Sequence, residues 1–146
     1  MSSLELNESA MKLHYSDHIE LKLARGSRFP ADKYRRLREH LQKDASQAFS
    51  FVRAREVSVN TLGLAHDRAC IEAVLNGSLS ALQQRKIGFP WSPDFVARAR
   101  CSVGATIGAC KAALENGVSA NLAGGTHHAA RTSGAGYCVF NDIAVA

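Results

Sequence analysis

Apolar and polar positions along the chain change period several times, and each change marks an expected element. Lys12 to Tyr15 is a short extended candidate, followed by the turn Arg25-Gly26-Ser27-Arg28. Pro30 is expected to open a helix, in which Tyr34, Leu37 and Leu41 recur at i, i+3 and i+7 as one apolar stripe. Arg55 to Val59 is read as a short strand. Asp67 to Leu75 reads as a helix ended by Asn76-Gly77, and Ser80 to Lys86 as a second one closed by Gly88.

After a loop over 87–93 comes the strongest helix start in the chain. Ser92 can accept from the first free backbone donors, Pro93 occupies a position whose missing N–H costs nothing, and Asp94 meets the positive end of the helix dipole. Val96, Val103, Ile107, Cys110 and Leu114 form the expected apolar face, and Asn116-Gly117 closes the helix. Val118 to Ala123 is then expected to be a buried strand. Helix, tight turn, strand is the order of elements in a parallel α/β sheet, and such sheets bind ligands at the carboxyl ends of their strands. The segment emerging from that end is Gly124-Gly125-Thr126-His127-His128.

Composition narrows the class without naming a function. The 146 residues are 46% hydrophobic and 21% charged, which excludes disordered, collagen-like and coiled-coil chains and suits about one domain. Lys and Arg number 18 against 13 Asp and Glu, for a net charge of +5, and the excess is concentrated between Arg25 and Arg55. From Cys101 onward only Lys111, Glu115, Arg131 and Asp142 are charged, so the last third is expected to be buried. The four cysteines show no C-x-x-C spacing, indicating reduced thiols rather than a disulfide framework or zinc ribbon. Met1 to Glu5 carries no signal-peptide pattern, and no apolar run is long enough to span a membrane, so the expectation is a cytoplasmic protein.

The candidate chemistry lies in Gly124-Gly125-Thr126-His127-His128-Ala129. Two adjacent imidazoles on a glycine-rich loop are free of helical geometry and can both face one cleft, where one accepts a proton and the other supplies charge. The alternative is two polar loop residues satisfied by backbone carbonyls.

That string, with Gly134-Ala135-Gly136-Tyr137-Cys138-Val139-Phe140-Asn141-Asp142-Ile143-Ala144-Val145-Ala146, closely resembles the signature of the histone deacetylase family, including its bacterial deacetylase-like and acetoin-utilisation members. The resemblance continues upstream through Tyr15-Ser16-Asp17-His18, Arg28-Phe29-Pro30, Lys33-Tyr34-Arg35, Ala65-His66-Asp67 and Ile87-Gly88-Phe89-Pro90-Trp91-Ser92-Pro93. It implies the arginase-deacetylase type of α/β fold, a central parallel sheet flanked by helices. The implied reaction is zinc-dependent hydrolysis of an acetyl-lysine or related acyl-amine, with an acetylated lysine or a small acetylated amine as the partner molecule.

By position, His127 and His128 resemble the tandem active-site histidines, His128 the general base and His127 its charged partner. Gly136 resembles the glycine along the acyl-lysine channel, and Tyr137 stands where the family usually has a phenylalanine wall. Asn141 and Asp142 are read as a buried helix cap bracing the loop, and Cys138 as structural. Phe89, Pro90 and Trp91 fall on a rim loop, where Trp91 either touches substrate or packs between helices. Ser27 replaces a usual histidine, and Thr126 is a bacterial variant of a position that is aromatic in many eukaryotic members.

The family's zinc ligands, an Asp-x-His pair and a later aspartate, have no counterpart here, nor does its catalytic tyrosine. Zinc is therefore expected of the complete domain, with no metal ligand in this chain. Residues 1–146 are expected to be the N-terminal part of one deacetylase domain, ending just inside the helix after the His-His loop. A catalytically dead remnant acting as a binding module is the alternative. Weaker signals point elsewhere: His14 and His18 at i, i+4 on an extended segment, Gly134-Ala135-Gly136 without the third glycine of a dinucleotide site, and Arg35, Arg36 and Arg38 as a basic helix. No recognised nucleic-acid motif accompanies the arginines, which ranks nucleic-acid binding below the hydrolase reading.

Overall fold

The computed structural model describes residues 10–23, 25–45 and 47–146. Met1 to Glu5 lies outside them. The elements in order are β1 (Met11–Tyr15), α1 (Lys33–Asp44), β2 (Phe49–Arg53), α2 (Val59–Leu62), α3 (Arg68–Asn76), α4 (Ala81–Ile87), α5 (Pro93–Asn116), β3 (Ser119–Asn121) and α6 (Asp142–Val145). The three strands form one sheet in the order β2-β1-β3, all parallel, with Leu13 opposite Phe51 on one side and Ala120 on the other.

Local chemistry accounts for the helix starts. Ser80 accepts from Gln83 N–H while the Gln83 side chain accepts from Ser80 N–H, a reciprocal cap at the head of α4. Ser92 accepts from Phe95 N–H at 3.0 Å, with Pro93 in the first turn, and α5 runs 24 residues to Gly117. Its buried positions include Phe95 and Val103 in the main core and Ala105 beside Ala54 and Cys101. Two glycines in it permit close approach: a Cβ at Gly104 would lie 2.1 Å from the Arg55 carbonyl oxygen, and one at Gly108 would lie 2.6 Å from the His14 ring.

The main core joins Leu62, Ile71, Val74, Ile87, Phe95 and Val103 to Val139 and Phe140. Phe140 is 1% exposed, and burying such a side chain contributes about 1.5–3 kcal/mol.

Four expectations are corrected. Pro30 does not open α1; its carbonyl accepts Lys33 N–H in a turn, and the helix starts two residues after that turn's Ala31. The second strand is Phe49–Arg53 rather than Arg55 to Val59, because pairing with β1 ends at Arg53 and Val59 already belongs to α2. Val118 to Ala123 narrows to the three-residue β3, half-buried at the sheet edge. The last third is not uniformly buried: Cys110 is exposed, Leu114 is 89% exposed, and Val118 and Ile143 are exposed too. Low charge there reflects apolar composition, whereas burial requires an element packed on that side, and the described residues place none over Leu114. Among the described residues no helix is long and apolar enough to cross a membrane.

Candidate active site

The chain leaves the central strand β1 toward β2 on one side and reaches β3 on the other, so the order of strands reverses between β1 and β3. In α/β sheets a crevice opens outside the carboxyl ends at such a reversal. A cleft lies there, lined by Leu21 beyond β1, Ala123 and Thr126 beyond β3, and Tyr34, Phe89 and Tyr137.

The segment after β3 is held from below by one carboxylate. Asp142, fully buried at the start of α6, accepts N–H from Gly125 (2.9 Å) and Thr126 (2.7 Å) and hydroxyl bonds from Thr106 (2.6 Å) and Thr126 (2.8 Å). Burial alone would raise its pKa, but bonds from the Thr106 hydroxyl, Gly125 N–H and both Thr126 donors outweigh it and hold the carboxyl below the usual carboxylate range. Asn121 fixes Thr106 in turn, donating to its hydroxyl at 2.8 Å.

The far flank of the loop is tied to the same corner. Asn141 caps α6 by accepting Ala144 N–H and donates its amide to the Ala129 carbonyl, both at 3.0 Å. Its backbone N–H donates to His66 Nε2 at 2.9 Å, so the His66 proton sits on Nδ1 and donates to the Ala130 carbonyl at 3.0 Å. His66 is 2% exposed and meets the Phe140 ring edge-on at 5.3 Å; burial lowers its pKa.

Between these anchors, His127 and His128 are exposed with ring centroids 4.2 Å apart. The Nδ1 of His127 donates to the Gly125 carbonyl at 2.9 Å, leaving Nε2 outermost. His128 packs on Gly136, where a Cβ would lie 3.3 Å from its ring. Gly136 and Tyr137 have φ of 54° and 65° and form the centre of a tight turn in which Ala135 and Cys138 exchange backbone bonds. Tyr137 is therefore a non-glycine residue in the left-handed region, its ring packed at a tilt against Phe29 (centroids 4.8 Å apart) and Phe89 (5.1 Å).

Residues 27–146 match the family model of the histone deacetylase domain. The chain belongs to the histone deacetylase family. A protein of Picosynechococcus sp. described as uncharacterized is 39% identical over 120 residues, which cover 82% of this chain and 40% of that protein. Histone deacetylase 2 of Arabidopsis thaliana is 39% identical over 64 residues, covering 44% of this chain and 14% of its own length. An HDAC homologue from Aquifex aeolicus superposes with a TM-score of 0.70 at 18% identity, over 94% of this chain and 40% of that one. The HD domain of HDA15 gives 0.73 at 16% identity, over 94% and 42%. The histone deacetylase fold, an α/β architecture of arginase-deacetylase type, is thus the fold of this chain, which spans about 40% of the length of the first curated relative it matches.

The structure sets the four sequence-derived candidates side by side, His127 beside His128 and His128 against Gly136, next to Tyr137, but only Tyr137 lines the cleft described above, and the two imidazoles are exposed outside its lining. The family implies zinc, and the residues present do not fit it: among the described residues no group of three or more His, Cys, Asp or Glu side chains could hold a metal ion. His14 lies on β1 in extended geometry, with its ring against Gly108, and does not share a helix face with His18.

Trp91 takes the packing alternative. Its indole lies over Gly77 and donates to the Val74 carbonyl at 2.7 Å, while Phe89 lines the cleft. Cys138 is buried, and burial pushes its thiol pKa up, in keeping with a structural role. On the basic helix Arg35 pairs with Glu39 and Arg36 with Asp32 in solvent, and Arg38 with the buried side chain of Asp17.

Three supports were not legible in the sequence. Thr106 and Asn121 come from elements that no motif joins to Asp142, and His66 appeared only inside an Ala-His-Asp resemblance. The one available signal was polar side chains at otherwise apolar positions, as with Thr106 among the small residues of α5.

Proposed function

We propose that residues 1–146 form the tandem-histidine part of a histone deacetylase-type amide hydrolase acting on acetylated lysine or a small acetylated amine. The observation that carries this reading is the pair of exposed imidazoles 4.2 Å apart, mounted between two buried anchors at the reversal point of a parallel sheet.

In this reading His128 receives the proton of the attacking water and returns it to the leaving amine. His127, protonated, presents Nε2–H to the developing oxyanion while its Nδ1–H remains on the Gly125 carbonyl. Gly136, on which His128 packs, presents only backbone to an acyl-lysine stem, and the Tyr137 ring supplies an aromatic wall against its methylenes. Zinc is the cofactor this reading implies, and the described residues offer no ligand set for it. Nucleic-acid binding is not part of the proposal, since no nucleic-acid motif accompanies the cations of α1.

The test uses the intact reading frame that carries this chain, assayed on an acetyl-lysine peptide and an acetylated polyamine. His128→Ala is expected to lower kcat about 100-fold or more at unchanged zinc content. Loss of the metal together with activity would remove His128 from the general-base role, and absence of turnover in the intact parent would overturn the hydrolase reading.

A further inference from the structure

Outside the histidine pair, one buried imidazole is placed so that both of its nitrogens are used by backbone groups of two different elements. His66 stands in the corner between α2 and α3. Its Nδ1–H donates to the Ala130 carbonyl, two residues beyond His128, and its Nε2 accepts from Asn141 N–H at the head of α6. Asp142, the next residue, holds the other flank at Gly125 and Thr126. His127 and His128 are thus suspended between a carboxylate and an imidazole, and both are tied to the Asn141–Asp142 corner.

No other natural side chain makes both bonds with a rigid ring. Phenylalanine keeps the shape and the edge-on packing against Phe140 but provides neither donor nor acceptor. Glutamine reaches an acceptor to the place of Nε2 without the ring. The neighbouring charged groups, Asp67 at the head of α3 and Arg131 after the loop, pair with each other at 3.3 Å, and Asp67 N–H donates to the Arg131 carbonyl at 3.0 Å. The His66 nitrogens are left to the two backbone partners.

We propose that His66 is a positioning residue for the tandem histidines: as a neutral Nδ1–H imidazole it bridges Ala130 to Asn141 and sets the orientation of His127 and His128. The inference depends on the hydrolase reading only for calling that pair the reacting groups; the bridge itself is a property of this chain.

The test is made by NMR on the 146-residue chain, with no substrate or metal, so its failure is distinct from failure of the hydrolase reading. In the parent, a long-range proton–nitrogen spectrum is expected to show His66 protonated on Nδ1 and bare on Nε2; a proton on Nε2 would overturn the proposal. In His66→Phe, hydrogen exchange at the Asn141 amide is expected to accelerate about tenfold, the size of one lost hydrogen bond, and the cross-relaxation signal between the two histidine rings to fall by about half or more. In His66→Gln, Asn141 protection is expected to return to within about threefold of the parent. Unchanged Asn141 exchange in the Phe variant, an unchanged ring-to-ring signal despite faster exchange, or no rescue by Gln would each overturn it. Should the Phe variant not fold, the parent tautomer and the Gln variant decide the matter.

Discussion

The Asp142 carboxylate and the Thr126 backbone N–H lie 2.7 Å apart, and that bond joins the first turn of α6 to the residue immediately before the histidine pair. Because Asp142 accepts four donors and is fully buried, it works as an ionised anchor with no cation beside it among its hydrogen-bond partners. Hydrogen bonding from neutral donors replaces the hydration the carboxylate has lost.

Asp142→Asn keeps the shape and turns one acceptor into a donor that faces other donors. The expected cost is about 2–4 kcal/mol, because one buried N–H or hydroxyl loses its partner and the charge assistance is gone. Denaturant unfolding measures it, and amide exchange at Gly125 and Thr126 is expected to show the largest loss of protection. A cost below about 0.5 kcal/mol would contradict the anchor role.

Acid should release the same anchor. The Asp142 carboxyl has its pKa lowered from the ordinary 3.8, so its contribution is complete above that value. It shrinks as pH falls from the unfolded toward the lower folded value, and it is gone below the latter. Protection of Gly125 and Thr126 is expected to hold at neutral pH and collapse only in that acid window, and Asp142→Asn is expected to abolish the dependence.

The buried His66 and His14 and the half-buried His18 set a separate window. Burial lowers the pKa values of His66, His14 and His18 from 6.5. For a base whose folded value is lowered, stability is complete above the unfolded 6.5 and declines as pH falls through the folded value, since only the unfolded chain readily takes the proton. Stability measured from pH 7.5 downward is therefore expected to fall below about 6.5, and His66→Phe to remove part of the slope while His14 and His18 retain the remainder.

Gly104→Ala sets two effects against each other. Alanine improves helix propensity by about 1 kcal/mol, but its Cβ would lie 2.1 Å from the Arg55 carbonyl oxygen, a backbone atom that no side-chain rotation can move. The clash is expected to win, with a net loss of about 1–3 kcal/mol in thermal or denaturant unfolding. A stabilised variant would mean that α5 does not pack as closely on that segment.

Helix starts were legible in the sequence because capping is a matter of neighbours. Ser80 and Ser92 bond to amides three residues on, so the string of residues contains the whole interaction. The His-His loop was legible for the same reason, as a punctuated segment after a strand, and its family signature is continuous. Strand choice was not. Phe49 to Arg53 and Arg55 to Val59 are both short apolar-containing runs, and only parallel pairing with β1 selected the first. Burial along α5 was not legible either: Cys110 and Leu114 share the apolar period with Val96 and Val103, yet only the latter two are covered. Periodicity shows that a face is apolar, but what packs against it is a long-range fact. The sequence by itself determined the capped helix starts, the family and the candidate histidine pair. Tertiary structure alone decided that Asp142, Thr106 and His66 converge on that pair from positions far apart in the chain, because burying a polar group is favourable only where folding brings its partners within hydrogen-bond reach.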